Sequence, residues 1–331
     1  MTNIELTPGR VPTGLPKGTA LLLFLRRNTV LVLTVLLFVF VIGIELARPG
    51  TVTPTWISNT LLFAAPLGVL AAGQTLIMLT GGIDLSVASV ATGAAYLLST
   101  NVSSMGSTTA LVLALAFGLL VGLLNGIGVA LLRVQPLVMT LGTGLMVGGI
   151  MIVYSQQMLA SQPQVPEFIQ ALGSGKLWGV VPINLFLWLI LAAAMIFGLA
   201  RTGYGRLLYA VGDNPEACHL AGIRVWRVIL VNYVLCSFLA AVAGLILVGS
   251  TKAADLGLAE VYLLPSVAAV IIGGTSIFGG RGGYAGSIVG AIMLTVLTSL
   301  LTLLDVIEPL KQILYGAIIL ILAAVYARLT D

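Results

Sequence analysis

Charge is what this sequence has least of. Lys and Arg number 15 and Asp and Glu 11 among 331 residues, so charged side chains make up 8% of the chain, where a soluble domain carries about 25%. That shortage excludes a water-soluble enzyme, whose surface needs far more charge. Histidine occurs once, as His219, and cysteine twice, as Cys218 and Cys236. One cysteine falls in a predicted loop and the other in a predicted span, so no disulfide framework follows, and a lone His without Cys, Asp or Glu at ligand spacing gives no metal site. No Gly-x-x-x-x-Gly-Lys-Ser/Thr string is present. The nearest approach, Gly173-Ser174-Gly175-Lys176-Leu177, has Gln170 where the first glycine belongs and Leu177 where the magnesium-binding hydroxyl belongs, so the chain does not hydrolyse ATP itself. Nucleophiles, histidines and carboxylates do not cluster in the apolar segments, which removes a membrane-embedded enzyme. The basic residues are spread over the loops and form no stripe for nucleic acid. The apolar run beginning near Leu31 follows a long polar N-terminus and ends without a small-residue cleavage site, so no cleavable signal peptide is read.

What remains is oil. Hydrophobic residues make up 59% of the chain and the mean hydropathy is +1.13. The apolar runs are unbroken, without the alternation of a barrel strand. The fold class is therefore all-α, a polytopic membrane protein. At about 20 apolar residues per crossing, spans are predicted at 29–47, 57–80, 85–100, 108–132, 136–155, 183–200, 226–250, 264–279, 284–304 and 309–327, about ten helices, the third and eighth being short. Residues 1–28, with Pro8, Pro12 and Pro16, read as an N-terminal tail, 29–327 as the transmembrane domain and 328–331 as a C-terminal tail. With the N-terminus in the cytoplasm, Arg10, Lys17, Arg26, Arg27, Arg133, Arg201, Arg206, Arg224, Arg227, Arg281 and Arg328 fall inside, and Arg48, Lys176, Lys252 and Lys311 outside. This bias has the direction of the positive-inside rule and places both termini in the cytoplasm. The longest outside loop, about 156–182, contains Pro163, Pro166 and Pro182 and reads as irregular.

Glycine numbers 39. Membrane helices associate by close backbone approach, and small residues mark the contacts. Gly118, Gly122 and Gly126 form one ladder at spacing four and Gly282, Gly286 and Gly290 a second, with a shorter pair at Gly144 and Gly148. Each ladder serves either packing within the bundle or an interface between subunits. Two hydrophobic segments break at glycine pairs: Leu76–Thr80 before Gly81-Gly82-Ile83-Asp84-Leu85-Ser86, and Ala268–Ile272 before Gly273-Gly274-Thr275-Ser276-Ile277-Phe278-Gly279-Gly280-Arg281. Irregular backbone at membrane depth is tolerated where protein covers it or it lines a wet cavity, and paired interruptions point to a transport pathway. Gln74, Asp84, Ser86, Asn125, Thr275 and Ser276, in or beside these breaks, are the candidate translocation-path residues. For Asp84 the alternatives are a helix cap, by itself or with Ser86, for the span starting near Leu85, and a substrate contact. Asn125 reads first as a hydrogen-bonding tie between helices.

The most informative polar stretch is 201–227. Within it Asn214 suits an N-cap, Pro215 the first helical position, Glu216 the positive helix end and Gly222 the C-terminal stop. Pro215–Ala221 is thus predicted to be a helix about 10 Å long, too short to hold in water unaided. It is either an ordinary interfacial helix or a docking contact for a soluble motor.

Five strings now stand together: Gly81-Gly82-Ile83-Asp84-Leu85-Ser86-Val87, Asn125-Gly126, Gln135-Pro136-Leu137-Val138-Met139-Thr140-Leu141-Gly142, Tyr209-Ala210-Val211-Gly212-Asp213-Asn214-Pro215-Glu216-Ala217, and Gly273-Gly274-Thr275-Ser276 with Gly279–Gly283. In this order they resemble the transmembrane permease subunits of ribose-type (monosaccharide) ABC importers, over about residues 55–325. Ala88 stands where that family usually has glycine, Cys218 where alanine is common, and Tyr262–Val267 where a Glu-Leu-Asp-Ala-like string is frequent. The resemblance implies the ABC importer permease fold in a bacterial inner membrane. It implies a second permease subunit, identical or different, a cytoplasmic ATP-binding subunit that carries the ATP and magnesium, and a periplasmic or lipid-anchored sugar-binding protein. No cofactor would be bound by this chain. It also implies that the segment near 213–222 is a coupling helix, with Asp213, Asn214, Pro215, Glu216, Ala217, His219, Ala221, Gly222 and Ile223 facing the ATPase. The rival reading is an ion-coupled secondary transporter, which would bury several ionisable groups at mid-membrane.

Overall fold

The computed structural model describes residues 29–157 and 163–330. The predicted tail over 1–28, with Arg10, Lys17, Arg26 and Arg27, lies outside the described residues. The architecture is all-α: α1 (Thr29–Ala47), α2 (Pro54–Leu79), α3 (Val87–Met105), α4 (Ser107–Ala130), α5 (Pro136–Gln157), α6 (Glu167–Ser174), a two-residue ribbon β1 (Lys176–Leu177) and β2 (Val181–Pro182), α7 (Ile183–Arg201), α8 (Gly203–Asp213), α9 (Pro215–Leu220), α10 (Val225–Thr251), a 3-10 turn at Glu260–Tyr262, α11 (Leu263–Ile272), α12 (Tyr284–Leu303) and α13 (Glu308–Thr330). Each predicted span coincides with a helix. Among the described residues seven are long and apolar enough to cross a membrane: α1, α2, α4, α5, α7, α10 and α12. The hydroxyl-rich α3 is sheathed by α4, α5, α10 and the 3-10 turn, so it needs little apolar surface of its own.

Two of the predicted spans and loops differ in the structure. The eighth span, predicted over 264–279, is a helix only to Ile272, and its 10 residues give about 15 Å, half the hydrocarbon thickness; after it comes glycine-bearing coil in which Thr275 and Ser276 are buried and Phe278 is exposed. The loop 156–182 is not irregular throughout. It carries α6, whose Ile169 and Gly173 are buried against α10, and the ribbon turned at Trp178-Gly179. The helix α8 was not anticipated. α13 runs from Glu308 to Thr330.

The centre of the bundle is α2, 89% of whose most apolar window is buried, against 6% for α1. Pro66 interrupts α2 and cannot donate to the carbonyl of Leu62. That carbonyl instead accepts from Asn184 Nδ2 of α7 at 2.9 Å, so a neighbouring helix supplies the missing donor. The first glycine ladder faces α10. A Cβ on Gly122 would sit 2.7 Å from Tyr233 O, and one on Gly118 2.9 Å from Ser237 O. In the second ladder Gly286 and Gly290 lie against the backbone of Gly273 and Ala269. Gly282 precedes α12 and has φ +119°, so it is a loop residue and not a helical rung. Gly144 touches Ser86 loosely and Gly148 faces open space. Both cysteines are free and buried. The P-loop-like Gly173–Leu177 segment is the end of α6 and the start of the ribbon, and Gly173 is small because the Gly249–Ser250 backbone crosses it.

Chain reversal gives the bundle two ends. Arg133, Arg201, Arg206, Arg224, Arg227 and Arg281 lie at one, hereafter the basic face; Arg48, Lys176, Lys252 and Lys311 lie at the opposite face.

Candidate functional site: a junction of two glycine loops and a helical knob

At the basic face α2 and α11 end in the same way. Gly81, with φ +77°, donates to Met78 O at 2.9 Å and Gly82 to Ile77 O at 3.1 Å. Gly274, with φ +84°, donates to Ile271 O at 3.0 Å and Thr275 to Val270 O at 3.1 Å. Both are Schellman-type stops, in which a left-handed residue closes the last turn. The paired breaks in the sequence are therefore one device used twice.

Side chains then fix each loop. The Gln74 amide pairs with the backbone of residue 84 like an added strand residue, Nε2 donating to Asp84 O at 2.5 Å and Oε1 accepting from Asp84 N at 3.2 Å. Asp84 Oδ1 accepts from Ser86 N at 2.8 Å and Ser86 Oγ at 2.6 Å, and Ser86 Oγ accepts from Asn125 Nδ2 at 2.9 Å. Asp84 thus makes an Asx turn at the entry to α3; Ser86, in the N-cap position, makes no side-chain cap bond. Thr140 of α5 accepts from Leu85 N at 3.0 Å. In the second loop Thr275 Oγ1 accepts from Gly283 N at 3.3 Å and Ser276 Oγ from Phe278 N at 3.1 Å. All six candidate translocation-path residues are buried; Gln74, Asp84, Thr275 and Ser276 hold loop backbone, while Ser86 links the side chains of Asp84 and Asn125. Asp84 Oδ2, Asn125 Oδ1, Tyr233 OH and Ser237 Oγ have no hydrogen-bond partner there.

The two loops touch each other and the segment between α7 and α10. Gly280 N donates to Leu79 O, the last carbonyl of α2, at 3.0 Å. Gly212, near the end of α8, lies on that same pair: a Cβ there would be 2.7 Å from Gly280 N and closer still to Leu79 O. Thr202 caps α8 by accepting from Gly205 N at 3.1 Å. Tyr204 OH donates to Asn232 Oδ1 of α10 at 2.6 Å, and Tyr209 OH to Gly282 O at 2.8 Å. Burial pushes both phenols above their ordinary range, so each remains a neutral donor.

Asn214 Oδ1 accepts from Ala217 N at 2.9 Å and starts α9 behind Pro215. Gly222, φ +78°, ends it. Cys218 is its buried anchor, while Asp213, Asn214, Pro215, Glu216, Ala217, His219, Ala221 and Gly222 are exposed and Ile223 is half-buried. Leu220, absent from the sequence-derived candidates, is 80% exposed and makes the knob's tip apolar. Beside α9 a cleft of about 640 Å³ is lined in part by Arg133, Glu216, His219, Arg224 and Trp226. Sequence reasoning also missed Tyr204, Tyr209, Asn232 and Thr140. For Tyr209, Gly212 and Thr140 the signal was their place inside the family-like strings.

Comparison with known proteins gives this junction a context. The family described as "Branched-chain amino acid transport system / permease component" matches residues 56–323. The ribose import permease protein of Bacillus subtilis (strain 168) is 32% identical over 286 residues, 86% of this chain and 88% of that one. The fructose import permease protein of Rhizobium meliloti is 32% identical over 305 residues, 89% of this chain and 83% of its own. The autoinducer 2 import system permease protein of Escherichia coli O9:H4 (strain HS) is 32% identical over 305 residues, covering 92% and 87%. No solved structure matches. On the extent of the family match and the length of these relatives it covers, the chain belongs to this family of transport-system permease components, multi-pass membrane proteins.

Proposed function

We propose that the chain is the permease subunit of an ATP-binding-cassette importer for a monosaccharide or related polyol. The basic face lies in the cytoplasm, where α9 docks on a separate ATP-binding subunit that alone binds ATP and magnesium; this chain catalyses no reaction. A binding protein delivers solute at the opposite face, and a second permease copy or homologue completes the path. The names of the relatives, ribose, fructose and autoinducer 2 import permeases, support the substrate class.

One observation carries the reading. The exposed knob α9 continues from a helix whose Gly212 bears directly on the last carbonyl of α2 and on the loop after α11. Force applied to the knob thereby reaches two bundle helices through backbone contacts, with no long side chains to absorb it. An ion-coupled carrier would need several ionisable groups inside the bundle, and in the junction Asp84 is the one carboxylate held away from water. The test is co-purification. Tagged chain expressed with the ATPase should retain it through detergent extraction, and Leu220→Asp combined with Glu216→Arg should release it while leaving the permease in the membrane. Undiminished retention would overturn the docking role.

A further inference from the structure

At the opposite face, away from the junction, a cavity of about 590 Å³ opens between the N-terminal half of α2, the start of α11, the C-terminal half of α12 and the start of α13. We propose that it is a binding site for a neutral polyhydroxylated solute of monosaccharide size, the first station of that solute on this chain. The inference rests on the permease reading and adds to it a place and a chemistry.

Three features argue for this ligand. The volume lies in the range of small-molecule pockets, about 300–1,000 Å³. The walls combine rings and hydroxyls with apolar side chains: Trp56, Tyr262 and Tyr315 line the space with Thr298, Ser299 and Leu67. A sugar offers matching chemistry, C–H faces that pack on rings and hydroxyls that both donate and accept. The rings are also held in place. Trp56 Nε1 donates to Ser299 Oγ at 2.9 Å, and Tyr315 OH shares a hydrogen bond with Thr298 Oγ1 at 2.6 Å.

Thr60 differs from the other threonines of the wall. A threonine within a helix usually returns its hydroxyl to the carbonyl four residues back, as Thr295 does to Ala291 O at 2.9 Å and Thr298 to Leu294 O at 2.8 Å. Thr60 is 6% exposed, lines the cavity, and its Oγ1 has no partner. Charge decides against an ionic solute. Glu308 is the charged residue lining the cavity, and Lys311 Nζ neutralises it at 3.2 Å while donating to Thr302 Oγ1 at 2.9 Å.

Position gives the site a consequence. The helices α2 and α11 that wall it at this face are those whose other ends carry the glycine loops beneath α8. A solute gripped here holds the same two rods that the knob moves.

The experiment uses purified chain in lipid nanodiscs. Trp178→Phe and Trp226→Phe remove the exposed indoles and leave Trp56 with the buried Trp188. D-ribose and D-fructose should change the emission saturably in the millimolar range, and sodium glutamate should not. Thr298→Val, which frees the Tyr315 ring, should weaken binding about three- to tenfold, as the loss of one hydrogen bond implies, with a melting temperature within a few degrees of the parent. Suppose the intact complex, with its ATPase and binding protein, imports one of these sugars while no neutral sugar perturbs Trp56. The cavity is then not the site, and the permease reading survives. Saturation by glutamate or L-leucine in place of the sugars would overturn the proposed chemistry.

Discussion

Replacing Gly212 with alanine puts the junction under a load of one methyl group. The added Cβ would lie 2.7 Å from Gly280 N and inside the contact distance of Leu79 O. Both are backbone atoms that cannot swing away. Relief requires α8 to lift from the bundle or the Gly280–Leu79 hydrogen bond to open. Overpacking of this kind costs about 1–3 kcal/mol, and a buried backbone pair left unmade adds about 1–3 kcal/mol. Against this, alanine is favoured over glycine within a helix by about 0.5–1 kcal/mol. The balance is a loss of about 3 kcal/mol, seen as an earlier thermal transition in nanodiscs. Because the same contact joins the knob to α2, import by the assembled transporter should fall more than tenfold, a tenfold change being about 1.4 kcal/mol. Gly198→Ala on α7 is the control: nothing lies within 4 Å of its added Cβ, so it should be neutral or slightly stabilising. If Gly212→Ala melted and transported like Gly198→Ala, the transmission argument would be refuted.

Three further substitutions probe other parts of the account. Gln74→Ala strips the donor and acceptor from Asp84 O and Asp84 N and should destabilise by about 2–5 kcal/mol, and Gln74→Glu, which sets a carboxyl oxygen against the Asp84 carbonyl in place of the donor, should also melt earlier than the parent; parental melting of both would contradict the pairing. Gly286→Leu drives a branched side chain into the Gly273 backbone and should leave little folded protein after extraction, measured as the monodisperse fraction on size exclusion. Glu216→Arg reverses an exposed charge in the first turn of α9; it should preserve the melting temperature and abolish sugar-stimulated ATP hydrolysis, and normal stimulation would count against the docking role.

The helices were legible because lipid demands long apolar runs, and the cap of α9 because Asn214, Pro215 and Gly222 carry their roles locally. The ladder at Gly118, Gly122 and Gly126 announced a close helix contact by spacing alone, though not that α10 is the partner. The break after Ile272 was visible as Gly273-Gly274. The loss of the last helical turns was not, because apolar composition hides where a coil replaces a helix. α8 escaped notice because its polar Gly203–Asp213 stretch earns its helix from tertiary anchors, Tyr204 on Asn232 and Tyr209 on Gly282, which no local pattern encodes. The candidate path residues were located by their polarity within apolar surroundings. Their bonds depend on partners up to dozens of residues away, such as Asn125 to the Ser86 hydroxyl. The cavity at the opposite face is assembled from α2, α11, α12 and α13 and has no contiguous motif to read.

The most direct test of a gate driven from outside itself is solute accumulation in sealed vesicles. Vesicles holding this chain alone should show no uphill uptake of ribose or fructose under a proton, sodium or potassium gradient or with ATP, and adding the ATP-binding subunit and the binding protein should produce uptake that stops when ATP is withheld. Uphill accumulation by the chain alone on any of these gradients would contradict the account.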